Sequence, residues 1–164
     1  MPDVVIENPI LNSPFVEPTR HFKFNDDGIT NEIIDERRIS SYFVPIPRSK
    51  KKSNLQLALA TEWTQDRVEE NKHVNRIRGR VNLWRQGGYL GVTPTTLRLL
   101  QHWTNPEREN KLFFCQIEAL ETAVYITEVA RKYGDAWIEN QLVEANNSSN
   151  PGLPRQAFTM ATGA

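Results

Sequence analysis

The chain has 164 residues, 38% of them hydrophobic and 24% charged, and its 20 basic residues balance its 20 acidic ones. That length suits one ordinary domain with a modest core, and the balance argues against a globally basic nucleic-acid binder while leaving local patches open. A lone cysteine, Cys115, excludes an internal disulfide or a cysteine-rich zinc site and fits the reducing cytoplasm. No signal peptide is visible, because no apolar run follows a basic start, and no stretch approaches the roughly 18 apolar residues of a membrane span.

In chain order, residues 1–20 carry Pro2, Pro9, Pro14 and Pro18. Proline fixes φ and removes a donor, so this region reads as an extended arm. Its apolar residues, among them Val4, Val5, Ile10, Phe15 and Val16, predict that the arm packs on something. His21-Phe22-Lys23-Phe24 alternates and is followed by the turn signal Asn25-Asp26-Asp27-Gly28. Ile33-Ile34 and Tyr42-Phe43-Val44 are further strand candidates, the latter ended by Pro45 and Pro47. The polar loop RSKKKSN, residues 48–54, precedes Leu55, Leu57 and Leu59, which alternate as a short strand would.

Helical spacing then takes over. A first helix is expected from Thr64 as N-cap, with Val74, Ile77, Val81 and Trp84 on one face and Gly87-Gly88 as its stop. Thr93 and Pro94 are an N-cap and first-turn pair for a second helix with the apolar face Leu97, Leu100 and Trp103. The Thr104-Asn105-Pro106 turn leads to a third helix over about 109–133. Phe113, Ile117, Leu120 and Val124 form its stripe, and Phe114, Ala119, Ala123 and Ile126 widen it enough to predict burial on more than one side. Gly134 is its stop. A short fourth helix from Asp135 carries Trp137, Ile138 and Leu142, NNSSNPG (146–152) is a loop, and RQAFTM (155–160) reads as a strand. The fold class expected is α+β, strands mostly before residue 62 and helices over 64–145.

Two motifs carry chemistry. The chain ends Met160, Ala161, Thr162, Gly163, Ala164 after a predicted strand. This resembles the opening of the phosphate-binding loop of superfamily 2 helicases and translocases. There, glycines let backbone N–H groups surround the phosphates, a lysine reaches the β and γ phosphates, and a hydroxyl holds Mg²⁺. Upstream, LFFCQIEA (112–119) resembles the glutamine motif of the same proteins. A glutamine amide donates and accepts at once, as the adenine edge requires, and the residue in that position is Gln116. Taken singly, Gln116 is an ordinary solvated helix residue; paired with the loop, it reads as a nucleotide ligand.

The resemblance extends over most of the chain. VIENPILNSPF, EPTRHFKF, SSYFVPIPR, LFFCQIEALETA and YGDAWIENQL look like the N-terminal region of the restriction subunits of type III restriction-modification systems and related DEAD/DEAH-box helicases. This likeness implies an arm with short strands over 1–62, a family-specific helical segment over 63–107, and the incomplete start of a RecA-like P-loop ATPase over 108–164. It implies ATP and Mg²⁺ as cofactors, DNA as partner, a DNA methyltransferase (modification) subunit as a further partner, and a cytoplasmic hydrolase. It also implies a chain cut inside its phosphate loop, because the lysine, the Mg²⁺ hydroxyl and the acidic pair of the motor are absent from this sequence.

The remaining candidates are weaker. Lys72, Arg76, Arg78, Arg80 and Arg85 form a basic run without acidic residues, suited to DNA phosphates or simply to a solvated helix face. A non-enzymatic DNA-binding or partner-docking module is therefore the alternative reading. His21, His73 and His102 lack metal-ligand spacing, Cys115 reads as packing, and Glu118 and Glu121 do not read as a catalytic carboxylate pair. Trp63, Trp84, Trp103 and Trp137 are expected to pack the helices together.

Overall fold

A computed structural model describes residues 6–25, 28–44 and 67–158. The expectations placed on Val4, Val5, Asp26, Asp27, the 48–54 loop, the 55–59 strand, Trp63, the Thr64 cap and residues 160–164 lie outside these. The chain is α+β: among the described residues four strands, β1 (His21–Asn25), β2 (Gly28–Ile34), β3 (Ser41–Val44) and β4 (Arg67–Glu70), precede four helices, α1 (Lys72–Gln86), α2 (Pro94–Trp103), α3 (Phe114–Val124) and α4 (Ala136–Ser149). It divides into two compact units. Met1–Ser13 and Pro18–Asn75 form the strand unit, and Pro14–Glu17 and Arg76–Ala164 the helical unit.

In the strand unit β1 and β2 pair antiparallel, with His21 opposite Ile34, Asn25 opposite Gly28, and an irregularity between Phe22 and Phe24. Gly28 sits at φ 117, where a side chain would be strained, and so lets the chain turn into β2. β3 and β4 pair antiparallel, Ser41 opposite Glu70 and Tyr42 opposite Glu69. Residues 67–70 were expected to be helical and are a strand. Helical spacing at Val74, Ile77, Val81 and Trp84 does not locate a helix start, and pairing with β3 satisfies the backbone of 67–70. The start of α1 is marked instead by Asn71, whose Oδ1 accepts the Val74 N–H at 3.4 Å. Asn75 then ties the first turn to the residue before β3: its Oδ1 accepts the Ser40 N–H at 2.8 Å and its Nδ2 donates to the Ser40 carbonyl at 3.1 Å.

The helical unit holds the core, built from Val81, Trp84, Leu100, Tyr125, Val129, Ala130 and Ile138. α2 begins as expected: the Thr93 hydroxyl accepts the Thr96 N–H at 3.2 Å and Pro94 opens the helix. α3 starts at Phe114, later than residue 109. It continues through a π turn, Tyr125–Val129, and a 3₁₀ turn, Ala130–Tyr133, before Gly134 at φ 79 stops it.

Three expectations in this unit are corrected. The buried positions of the third helical run are Glu121, Tyr125, Val129 and Ala130, while the predicted Phe113, Ile117, Leu120 and Val124 are half-buried, Leu120 and Val124 packing against the core from its edge. Hydrophobicity alone passes over Glu121, which is buried because it is paired. The fourth helix runs to Ser149, so 146–149 of the expected loop are helical. Residues 155–158 form no strand. The Asn146 side chain takes both backbone groups of Arg155, accepting its N–H at 2.9 Å and donating to its carbonyl at 3.1 Å, where a strand would offer them to a neighbour.

Candidate functional site

The last turn of α1 and the turn after it build a buried polar site. Gly88 at φ 78 is followed by Tyr89 at φ 60, a left-handed conformation that costs a residue with a side chain about 1–2 kcal/mol. The turn aims the Tyr89 hydroxyl at Glu121, donating to Oε1 at 2.6 Å. Arg85 meets the same carboxylate from α1, its Nε at 2.9 Å and its Nη2 at 2.6 Å from Oε2. Its Nη1 reaches Glu17 at 3.3 Å and Asn82 Oδ1 at 3.2 Å. The Glu121 side chain is fully buried. A buried carboxylate survives without water only when paired and hydrogen-bonded, and a two-pronged guanidinium with a phenol supplies that. Burial works against the Arg85 charge, but the hydrogen bond and charge of Glu121, joined by Glu17, outweigh it, and the pKa is raised. Burial and then the Glu121 hydrogen bond also push the Tyr89 phenol up.

A second closed cluster surrounds Asp135, which is buried. It accepts from the Tyr125 hydroxyl at 2.6 Å and from Trp137 Nε1 at 3.0 Å, and Arg80 Nε lies at 3.3 Å. Burial, then the bond to Asp135, raises the Tyr125 pKa. On the rim Glu128 accepts from the Thr96 hydroxyl at 2.7 Å and the Thr93 N–H at 3.1 Å, bonds that hold its carboxyl below its ordinary value. These clusters are saturated. Each carboxylate is matched by donors, an arrangement suited to locking helices in register and not to moving protons.

The predicted site residues fall as follows. Gln116 is exposed on the first turn of α3, and its Oε1 accepts the Phe113 N–H at 2.9 Å. This is half of a capping box, since the phenylalanine at the cap has no side-chain acceptor to return the bond. Met160, Ala161, Thr162, Gly163 and Ala164 lie outside the described residues, so nothing is shown of their distance from Gln116.

The arginines are largely committed within the chain. Arg85 is engaged by Glu121 and Glu17, and its side chain is only 20% exposed. Arg80 pairs with Asp135 while remaining 45% exposed. Arg76 is exposed and stacks its guanidinium 4.1 Å from the Trp137 ring centroid. Arg78 is half-buried and engaged. Two cations of the run that is free of acids in sequence, Arg80 and Arg85, thus meet carboxylates in space. Sequence reading missed Glu121, Asp135 and Glu17 as its counter-charges. The available signal was Glu121 four residues ahead of Tyr125 and eight ahead of Val129, on the face that faces the core.

Among the described residues no group of three His, Cys, Asp or Glu could hold a metal ion, and no helix is long and apolar enough to cross a membrane. Cys115 is a half-buried free thiol. No family model, no curated protein and no solved structure matches the chain.

Proposed function

We propose that this chain serves an ATP-driven DNA helicase or translocase of the type III restriction kind and contributes the residue that reads adenine. The observation that carries the reading is the segment 112–119 with the helix it forms. Gln116 is exposed on the first turn of α3, two residues after the pair Phe113-Phe114. Its carbonyl oxygen keeps a second lone pair for adenine N6–H while the first holds the cap, and its NH₂ group is available to N7. In this reading the phosphates are approached by the RecA-like loop opening at Met160, Ala161, Thr162, Gly163 and Ala164. The residues present fit adenine recognition. When bound, ATP with Mg²⁺ would supply the free energy for motion along DNA, and what this chain's own residues do is hold and orient the base.

The test separates adenine reading from capping. Binding of a fluorescent ATP analogue is measured on the 164-residue chain and on Gln116→Ala and Gln116→Glu. Glutamate keeps the capping acceptor and removes the amide donor. Weak binding lost equally in both variants supports the reading; binding retained in Gln116→Glu removes it.

A DNA-binding module is the second reading, favoured by the exposure of Arg76 and part of Arg80 on α1. It predicts binding that falls steeply with salt and weakens for all sequences in Arg76→Ala.

A further inference from the structure

Four residues of the N-terminal arm pack differently from their neighbours. Met1–Ser13 and the chain from Pro18 belong to the strand unit, while Pro14–Glu17 belong to the helical unit. The loop that makes this excursion is tied at its base by Asn12. Its Oδ1 accepts the N–H groups of Thr19 at 3.0 Å and Arg20 at 3.1 Å, and its Nδ2 donates to the Arg20 carbonyl at 2.8 Å. The tip touches the start of α3 and the end of α1. The Pro14 carbonyl accepts the Phe114 N–H at 2.8 Å, the Phe15 ring lies 5.4 Å from that of Phe113, and Glu17 reaches Arg85 at 3.3 Å.

We propose that Pro14–Glu17 is a releasable latch on the first turn of α3, whose opening uncovers Phe113 and the turn that carries Gln116. Charge arithmetic makes it releasable. Arg85 carries one positive charge, and the fully buried Glu121 already neutralises it through two nitrogens. Glu17 is the second carboxylate on that guanidinium, so its departure leaves no uncompensated buried charge. Loss of Glu121 would leave one. Exposure points the same way: Phe15 is 45% and Val16 57% exposed, so lifting the tip brings little apolar surface into water. Pro14 and Pro18 restrict the loop's backbone and Asn12 closes its base, so the tip leaves and returns as one piece. The latch requires nothing of the nucleotide reading and stands without it.

The Phe114 amide reports the latch directly. The first N–H groups of a helix have no acceptor within it, and for Phe114 that acceptor is the Pro14 carbonyl. Amide hydrogen exchange is followed by NMR in the full chain, with Val129 in the core as reference. Phe15→Ala should speed exchange at Phe114 about fivefold to tenfold. Glu17→Gln should speed it about threefold at low salt, and half-molar salt should do the same to the native chain and little to that variant. Val129 should not change in either variant. If Phe114 exchange is unmoved by both substitutions, the latch does not exist. If Val129 accelerates in step with Phe114, the segment is part of the cooperative core, and release is refuted.

Discussion

Two ion pairs of similar length sit in the two units. In the strand unit Lys23 meets Glu32 at 2.8 Å across β1 and β2, the two side chains 49% and 61% exposed. In the helical unit Arg85 meets Glu121 at 2.6 Å, with Glu121 removed from water. Every fully buried side chain among the described residues belongs to the helical unit. Geometry alone would rank the pairs together, but solvation ranks them apart. The hairpin pair is screened and trades one set of water contacts for another. The helical pair has no water to fall back on, so each partner depends on the other.

The largest effect that tests this contrast is expected at Glu121. Glu121→Ala strands Arg85 in a half-buried position and empties a side-chain volume. It should cost the helical unit about 3–5 kcal/mol, toward the low end because Glu17 still faces the guanidinium. Urea denaturation followed by tryptophan fluorescence measures it through the buried Trp84. A loss below about 1 kcal/mol would place the buried pair alongside surface pairs and dissolve the contrast.

The same contrast explains what could be read from sequence. Local signals held: Thr93 with Pro94, Gly134, and the turn at Gly87 and Gly88 each act within a few residues. The strand at His21–Asn25 was legible from its alternation. What failed is non-local. Residues 67–70 are a strand because β3 lies beside them, and the span between contains no residue that announces the pairing. Arg85 looked free because Glu121 is 36 residues away, and Arg76 because Trp137 is on another helix. A charged residue on an apolar helix is scored as surface by any hydrophobicity count, so the stripe found Leu120, Val124 and Ile126, which pack against the core, but passed over the buried centre at Glu121, Tyr125 and Val129. Of the candidate site, the helix bearing Gln116 was foreseen, but not that its carbonyl caps Phe113.

Tyr89 gives the next effect in size. Tyr89→Phe removes a donor to a buried carboxylate that Arg85 still satisfies, so about 1–2 kcal/mol should be lost near neutral pH. The folded-state pKa of Tyr89 is raised, so its contribution is complete below the unfolded tyrosine value of about 10. It is lost as pH rises beyond that, because the unfolded chain releases the proton while the folded chain retains it. The native chain should therefore lose more stability between pH 8 and 10.5 than Tyr89→Phe does. Parallel pH profiles would detach the hydroxyl from Glu121.

Glu128 probes the rim of the helical unit at the other end of the pH scale. Its folded pKa is lowered, first by the Thr96 hydroxyl and then by the Thr93 N–H. A lowered pKa contributes stability above the unfolded carboxyl value of about 4.3, and the contribution disappears as pH falls through the folded value. Glu128→Gln should therefore lie slightly below the native chain at pH 7 and converge with it in acid. The gap should stay under about 1 kcal/mol because the group is in contact with water. Divergence on acidification would reverse the assigned sign.

The smallest effect belongs to the hairpin pair, and its smallness is the point. Lys23 and Glu32 face each other across β1 and β2, each largely in water. Their attraction at an effective surface dielectric is a few kcal/mol at most before costs. Ordering two long side chains and displacing their water removes most of that. A double-mutant cycle of Lys23→Ala and Glu32→Ala, read by the hydrogen-exchange stability of the β1–β2 amides, should give a coupling of about 0.2–0.5 kcal/mol that vanishes in half-molar salt. Neither single substitution should alter exchange at Val129, because the hairpin and that core residue lie in different units. A coupling above about 1.5 kcal/mol, insensitive to salt, would mean that the hairpin pair is shielded from solvent. The two ion pairs would then differ in degree and not in kind, and burial would no longer explain why Glu121 is expected to matter so much more.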